Sequence, residues 1–600
     1  MSEKKGERLP KTDELAKELT EFLSKKFGSR VKIIPTAAFF PEEEEKVNPP
    51  PVEKETELNF DLKPEELVAY LDQYIVRQDH AKAVLSTKIC THFNRIKYQK
   101  KNEDRISDTV GRIKNNVLLI GPTGVGKTYI IKLIANKIGV PFVKGDATKF
   151  TEAGYVGADV EDLIRDLIRE ADHNVDIAQY GIVYIDEVDK IAASRNSFGH
   201  DISRSGVQRA LLKPMEETDI DLRMTHDPIG MMEEFEHYRK TGKRGKRTLN
   251  TRNILFIMSG AFADIKDIIK KRVADQKMGF GAKLPSAEED ALILQKVKSE
   301  DLIEYGFESE FVGRLPVTAV LDPLSVEDLY TILKNPNNPT ILGKKIDFMA
   351  YDIQIKFSDK ALYMLAEQAF SEKTGARGLV SAIERSLLHF EKKLPSTKIK
   401  KIAITEEIID HPITILNSIM EDPHNSKWTH QFNLVAQEEQ SNMIQYIKDN
   451  KDRLANQFNI DIEERIHFIA EFCCQNIMDL EASFVKVKQA FDNAKKIEVD
   501  FSKAHDIQLI LDDEAENYLI QKQLNEALGM DSFYTWLNKN FEYGLKLIRE
   551  KTKKKVFTIP KEALIQPAIY LENLVKDELK EIEIEKELKE IESKLKGIEE

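Results

Sequence analysis

A glycine-rich turn closed by a lysine and a threonine is the first place in this chain where residue types and spacing specify chemistry. In the stretch Leu118 to Thr128, Gly121, Gly124 and Gly126 let successive backbone N–H groups turn inward around phosphate oxygens, with Pro122, Thr123 and Val125 completing the loop. Lys127 adds positive charge toward the β- and γ-phosphates, and Thr128 offers a hydroxyl to Mg²⁺. This is P-loop spacing, and it points to a nucleoside triphosphate. A glycine-rich turn with no ligand is the competing interpretation of such a match in isolation. Here an apolar strand, 117–120, precedes the turn and a helical pattern, 129–138, follows it, which is the context a P-loop requires.

A second constellation lies downstream, where the apolar run Gly181 to Ile185 ends in Asp186 and Glu187. Phosphoryl transfer needs an oriented nucleophile and neutralised oxygens more than covalent chemistry. Asp186 is therefore expected to hold the Mg²⁺ shell as a Walker B aspartate, and Glu187 to take a proton from the attacking water. Two acidic residues at a strand end also suit a solvated turn, but a P-loop in the same chain favours the catalytic reading.

These residues need a scaffold of alternating strands and helices. From about Leu62 the P-loop unit, the Walker B strand and a further apolar run, 253–258, predict an α/β core with a parallel sheet flanked by helices. The pattern turns mostly helical after Pro323, with strands before Phe357 and around Ile399 to Ile404, as in a small α+β lid. The expected domains are a 1–60 N-terminal extension and linker, a 61–335 large domain, a 336–412 lid, a 413–497 helical extension, a possible second lid-like domain over 498–575, and a 576–600 charged tail. The second lid is suggested by an internal echo: Asp506-Ile507-Gln508-Leu509 repeats Asp352-Ile353-Gln354-Ile355. Without a gap, Asp359 then faces Asp513, Ala361 faces Ala515, Leu365 faces Leu519 and Gly375 faces Gly529. Chance likeness between amphipathic helices is the alternative. In the tail, Ile584, Leu588, Ile591, Leu595 and Ile598 fit either a short coiled coil or a solvated helix.

Bulk properties narrow the class. A chain of 600 residues holds several cores. The net charge of −13 argues against indiscriminate nucleic-acid binding, so no nucleic-acid partner is expected. Three cysteines, Cys90, Cys473 and Cys474, exclude a disulfide framework and a four-cysteine zinc site. The charged start has no signal-peptide core, and no apolar run is long enough to span a bilayer, so a cytoplasmic protein without a membrane partner is expected.

With these motifs in place, residues from about Leu62 to Pro412 resemble the ATPase core of the ClpX-type AAA+ unfoldases, within the Clp/HslU family. The resemblance implies an AAA+ P-loop ATPase core, an α+β lid and, beyond them, a mostly helical C-terminal extension foreign to the family. Its most specific stretch is Thr151 to Gly157, where Gly154, Tyr155, Val156 and Gly157 match the pore loop that grips a threaded polypeptide. Glu310 to Pro316 resembles the segment whose arginine, here Arg314, reaches the γ-phosphate bound by a neighbouring subunit, which implies a homo-hexameric ring. Gly375 to Leu379 matches the sensor-2 motif, with Arg377 on the nucleotide phosphates. The adenine-side contacts map to Ile75 and Val76, although Arg77 stands where a glycine is usual. Ser259 falls at the sensor-1 strand end, and the basic run Arg239 to Arg247 falls where a second pore loop is found.

The gap between Lys127 and Asp186 is too short for the inserted domain of HslU, which favours the ClpX branch. Met278, Gly279 and Phe280 stand where ClpX carries the loop that docks a peptidase ring. The resemblance thus implies ATP and Mg²⁺ as cofactors, protein substrates, and a ClpP-type peptidase partner. It also implies an ATP-dependent unfoldase that threads substrates through its pore; a protease-independent remodelling chaperone is the alternative. No cysteine precedes Cys90, so the zinc domain that usually begins the family is not expected in this chain.

Overall fold

Runs of four to six apolar residues with no polar alternation are what a sheet covered on both faces demands. The computed structural model describes residues 60–102, 114–151, 159–192, 202–221, 248–276, 293–460, 462–463, 465–526, 530–578 and 580. Outside them lie the pore loop Gly154 to Gly157, the basic run Arg239 to Arg247, the docking loop Met278 to Phe280, most of the N-terminal extension and the heptad-like tail. The described residues divide into two units: 60–68, 79–121 and 127–321 form one, and 69–78, 122–126 and 322–580 the other.

In the first unit, strands β1 (Val117–Ile120), β2 (Phe142–Asp146), β3 (Ile182–Asp186), β6 (Leu255–Gly260) and β7 (Val317–Val320) pair in the order β2-β3-β6-β1-β7. Every pairing is parallel. All four residues of β1 and all six of β6 are buried, as the unbroken apolar runs require. A separate hairpin joins β4 (Asp219–Asp221) to β5 (Thr248–Asn250). Helices α1 (Asp79–Lys101), α2 (Lys127–Ile138), α3 (Val160–Glu170) and α4 (Ile202–Met215) belong to this unit.

Helix α3 shows how sequence sets position. Asp159 caps it, accepting from Glu161 N, while Asp162 reaches back to the Asp159 N–H. Its apolar residues 160, 163, 164, 167 and 168 then form one buried stripe. Gly181 lets that stripe approach β3, because a Cβ there would lie 2.6 Å from Leu167. At the carboxyl ends of the strands stand Gly121, Asp186 and Ser259, the place where open parallel sheets bind ligands.

The second unit is built on two small parallel sheets. Helix α5 (Val326–Lys334) packs on α6 (Asp359–Ser371), and β8 (Gln354–Phe357), α6, α7 (Arg377–Lys393) and β9 (Lys401–Ile404) form the first lid-like motif. The contact boundary between units falls at Leu321–Asp322, ahead of the Asn335 to Asn338 turn where sequence places the break. Packing of α5 on α6 accounts for the earlier division. Helices α8 (Ser426–Asp449), α9 (Ile466–Gln475) and α10 (Leu480–His505) follow. Strand β10 (Gln508–Leu511), α11 (Asp513–Glu526), α12 (Met530–Thr552) and β11 (Val556–Ile559) then repeat the order strand, helix, helix, parallel strand. Phe541, Leu545 and Ile548 of α12 close the core of this second motif with Leu509, Leu511 and Leu519. Among the described residues no helix is long and apolar enough to cross a membrane.

Candidate functional site

In the first unit, four side chains converge at the end of β3. Ser259 Oγ donates to Asp186 Oδ1 at 2.5 Å, and the Tyr184 hydroxyl lies 2.7 Å from Ser259 Oγ and 3.1 Å from Thr128 Oγ1. Thr128 Oγ1 donates in turn to Asp186 Oδ2 at 3.3 Å. Parallel pairing of β3 with β6 brings these groups together, with Thr128 arriving on the first turn of α2. Burial would raise the Asp186 pKa. Hydrogen bonds from Ser259 and Lys144, with the charge of Lys144, outweigh it and hold the carboxyl below its ordinary value. Asp186 is therefore ionised at neutral pH. A hydroxyl and a carboxylate converging through oxygen are the donors a hard divalent cation takes, so Thr128 and Asp186 fit Mg²⁺.

Tyr184 is fully buried, and burial pushes its phenol up to about 12. It therefore remains a neutral hydrogen-bonding strut. Lys144 Nζ stands 3.2 Å from Asp186 Oδ2. Lys127 Nζ donates to the Gly121 carbonyl at 2.7 Å, curling its stem over the start of the loop. Gly121 itself is obligatory, since a Cβ there would lie 2.8 Å from the Leu321 carbonyl.

Glu187 is exposed and takes a left-handed backbone, φ 58°, rare for a residue with a Cβ. Its N–H donates to Asp186 Oδ1 at 3.1 Å. The chain thus turns sharply after Asp186, and a carboxylate leaves the sheet where a base for water is expected.

Arg314 follows a short helix, Ser309–Gly313. Its carbonyl accepts from Asn116 Nδ2 at 3.1 Å, while Asn116 Oδ1 accepts from Phe256 N at 3.3 Å, which ties the arginine backbone to the sheet. The guanidinium is half exposed and pairs with Glu216 at 2.5 Å. The Glu216 carbonyl accepts from Lys114 at 2.9 Å, and burial lowers the Lys114 pKa to about 7.

In the second unit, residues 122–126 of the P-loop meet the turn before α7. Gly124 (φ +77°) and Gly375 (φ +63°) face each other, and Ala376 N donates to the Gly124 carbonyl at 2.9 Å. A Cβ on Gly124 would lie 2.0 Å from the Thr374 carbonyl, so glycine is required by space and by conformation. Pro122 and Thr123 lead into this contact, Val125 is buried, and Gly126 has φ +96°. Arg377 opens α7 with an exposed side chain that has no hydrogen bond or ion pair among the described residues. Ile75 is buried and Val76 half-buried. Arg77 has φ 62° and pairs with Asp328 at 2.9 Å, which explains why glycine suits this position and what holds the arginine there instead.

The sequence reading placed Ser259 correctly at a strand end but did not couple it to Asp186, and it missed Tyr184 and Lys144. A phenol in the middle of a strand buried on both faces is itself a signal, because its hydroxyl must find a partner. The lysine carries none, since its neighbour arrives only when β2 pairs with β3.

Residues 112–318 match the family model described as AAA domain, Cdc48 subfamily. Residues 324–399 match the C-terminal, D2-small domain of ClpB protein. The second description points to ClpB where the sequence resemblance pointed to ClpX, so the level supported is the broader Clp/Hsp100 group. The two matches together indicate an AAA+ ATPase domain followed by a small domain of the Clp/Hsp100 type, and the protein is an enzyme that hydrolyses ATP.

Proposed function

We propose that this ATPase is an unfoldase that forms a homo-hexameric ring and threads protein substrates through a central pore. The observation that carries the nucleotide chemistry is the convergence of Thr128, Asp186, Ser259 and Tyr184 at one strand end. Thr128 and Asp186 would hold Mg²⁺, which when bound neutralises charge on the β- and γ-phosphate oxygens. The loop Gly121 to Gly126 cradles the phosphates with its N–H groups, and Lys127 leaves the Gly121 carbonyl for them. Ile75 and Val76 line the adenine side, and Glu187 takes a proton from the attacking water.

In the ring, Arg314 exchanges Glu216 for the γ-phosphate of the neighbouring subunit, and Arg377 contacts the phosphates. Gly154 to Gly157, with Tyr155 as the gripping side chain, form the pore loop. Met278, Gly279 and Phe280 dock a ClpP-type peptidase in the ClpX-like form of this reading. Remodelling of protein complexes without proteolysis is the second reading, favoured by the long region after residue 412 that lies beyond both matched segments.

The test is loss of fluorescence from a stably folded reporter in Mg²⁺ and ATP. Wild type is expected to unfold it, and Glu187→Gln to bind ATP with turnover reduced by about a hundredfold or more and no unfolding. Wild-type turnover by the variant removes Glu187 from the mechanism, and an ATPase that never unfolds a protein removes the unfoldase reading.

A further inference from the structure

Asp186 is paired with a lysine ammonium as well as with the Thr128 hydroxyl. Strand β2 places Lys144 opposite Tyr184 and Asp146 opposite Asp186 in the parallel register with β3. From there the Lys144 ammonium, 5.9 Å from the Tyr184 ring centroid, reaches to 3.2 Å from Asp186 Oδ2. That oxygen is the one to which the Thr128 hydroxyl donates. The other oxygen, Oδ1, is taken by Ser259 Oγ and by the Glu187 N–H. Oδ2 is thus the oxygen shared between the metal-fitting pair and a lysine. The Asp186 side chain is only 16% exposed, so the attraction between these charges is weakly screened. The Lys144 side chain is 45% exposed, which leaves it room to swing away.

We infer that Lys144 is a built-in competitor for Mg²⁺, a positioning residue whose ammonium holds Asp186 Oδ2 until the metal arrives with the nucleotide and displaces it. The inference rests on the reading of Thr128 and Asp186 as the Mg²⁺ ligands. Its physical content is an exchange of cations. Without the lysine, Asp186 would stand as an uncompensated, largely buried carboxylate. With it, the carboxylate is neutralised and ordered against Ser259 and Tyr184 before any metal binds. The price is a weaker hold on Mg²⁺, because one positive charge must leave as another enters. Free Mg²⁺ concentration therefore governs how readily the protein takes up nucleotide, and the side chain at position 144 sets that threshold.

The experiment measures binding of a fluorescent, non-hydrolysable ATP analogue to the full chain while free Mg²⁺ is titrated, so that turnover plays no part. Lys144→Met and Lys144→Gln are expected to lower the Mg²⁺ concentration at half-maximal binding by about fivefold, the scale of a modest ion pair. Lys144→Arg keeps the charge and is expected to stay near the wild-type midpoint. Lys149→Met removes an exposed charge close by in sequence and is expected to leave the midpoint in place. An unchanged or raised midpoint in both neutral variants overturns the inference, as does an equal fall in Lys149→Met, which would reduce the effect to net charge. A wild type whose nucleotide binding ignores Mg²⁺ altogether overturns the reading of the metal ligands themselves. Wild-type dependence with no response to position 144 overturns only the role of the lysine.

Discussion

The two lid-like motifs of the second unit share a construction down to individual backbone angles; in the first the turn before α7 meets the P-loop, while the matching residues 527–529 of the second lie outside the described ones. Each begins with a left-handed aspartate, Asp352 at φ 58° and Asp506 at φ 50°, followed by a fully buried isoleucine, Ile353 or Ile507. Each first strand has the same succession of exposed, buried, half-buried and buried residues. Gln354 N donates to the Lys400 carbonyl and Gln508 N to the Lys555 carbonyl, at 2.8 and 2.7 Å. Each motif closes with a helix of five residues, Glu406–Asp410 or Lys561–Ile565.

The difference lies between the two helices. In the first motif Ala376 N donates to the Gly124 carbonyl and Arg377 opens α7. In the second, the position matching Arg377 is Asp531, and α12 runs for 23 residues where α7 has 17. Strand register and capping hold this small fold together, while the contact with the P-loop resides in a turn that those interactions do not need. The two properties can therefore be lost separately, and we propose that the second motif keeps the fold without sensing nucleotide.

The sharpest way to break this comparison is to exchange effects between matched positions. Arg377→Ala is expected to lower the ATP turnover number by about a hundredfold, the scale on which removal of one preorganised charge-stabilising donor is felt. Asp531→Ala is expected to leave turnover within about twofold. Steady-state ATPase assays decide it, and a large loss in the second variant would mean that both motifs report on nucleotide.

A smaller effect probes the shared construction. Leu365 and Leu519 occupy matched positions and are 0% and 4% exposed. Truncation of either to alanine is expected to cost about 2–5 kcal/mol, the range for a leucine in a closed core. Each loss should remain in its own motif. Hydrogen exchange on β8 should accelerate in Leu365→Ala and on β10 in Leu519→Ala, and acceleration of both strands by either change would show one cooperative body.

How much of this was legible in the sequence depended on range. The P-loop glycines, Lys127 and Thr128 are read within eight residues, and the steric demands on Gly121 and Gly124 agree with that reading. The echo between Asp352 and Asp506 was visible because a left-handed turn, a strand and a cap are all written locally. Lys144 and Tyr184 were not visible as site residues, because their partners come from strands far apart in sequence that only sheet pairing makes neighbours. The link from Arg314 through Asn116 to Phe256 was hidden for the same reason. The unit boundary near Leu321 lies earlier than the Asn335 to Asn338 turn because the allegiance of α5 is set by its packing on α6, a long-range contact that no local pattern writes.

The smallest expected effect concerns the caps, where the two motifs use different chemistry for one task. Ser358 accepts from Ala361 N through its hydroxyl at 3.2 Å, and Asp512 accepts from Ala515 N through its carboxylate at 2.7 Å. Both donors would otherwise be orphaned in the first turn of a helix, and both residues also donate their own N–H to the returning strand, at Ile404 and Ile559. Ser358→Ala and Asp512→Ala are each expected to cost about 1 kcal/mol in their own motif, with the aspartate loss larger because a charged acceptor also complements the positive end of the helix. Ser358→Asp should then be close to neutral or mildly stabilising, since either side chain satisfies the same donor. Local hydrogen-exchange free energies on α6 and α11 measure both. If Ser358→Asp instead destabilised α6 by as much as Ser358→Ala, the caps would not be interchangeable, and the likeness between the motifs would stop at the course of the backbone.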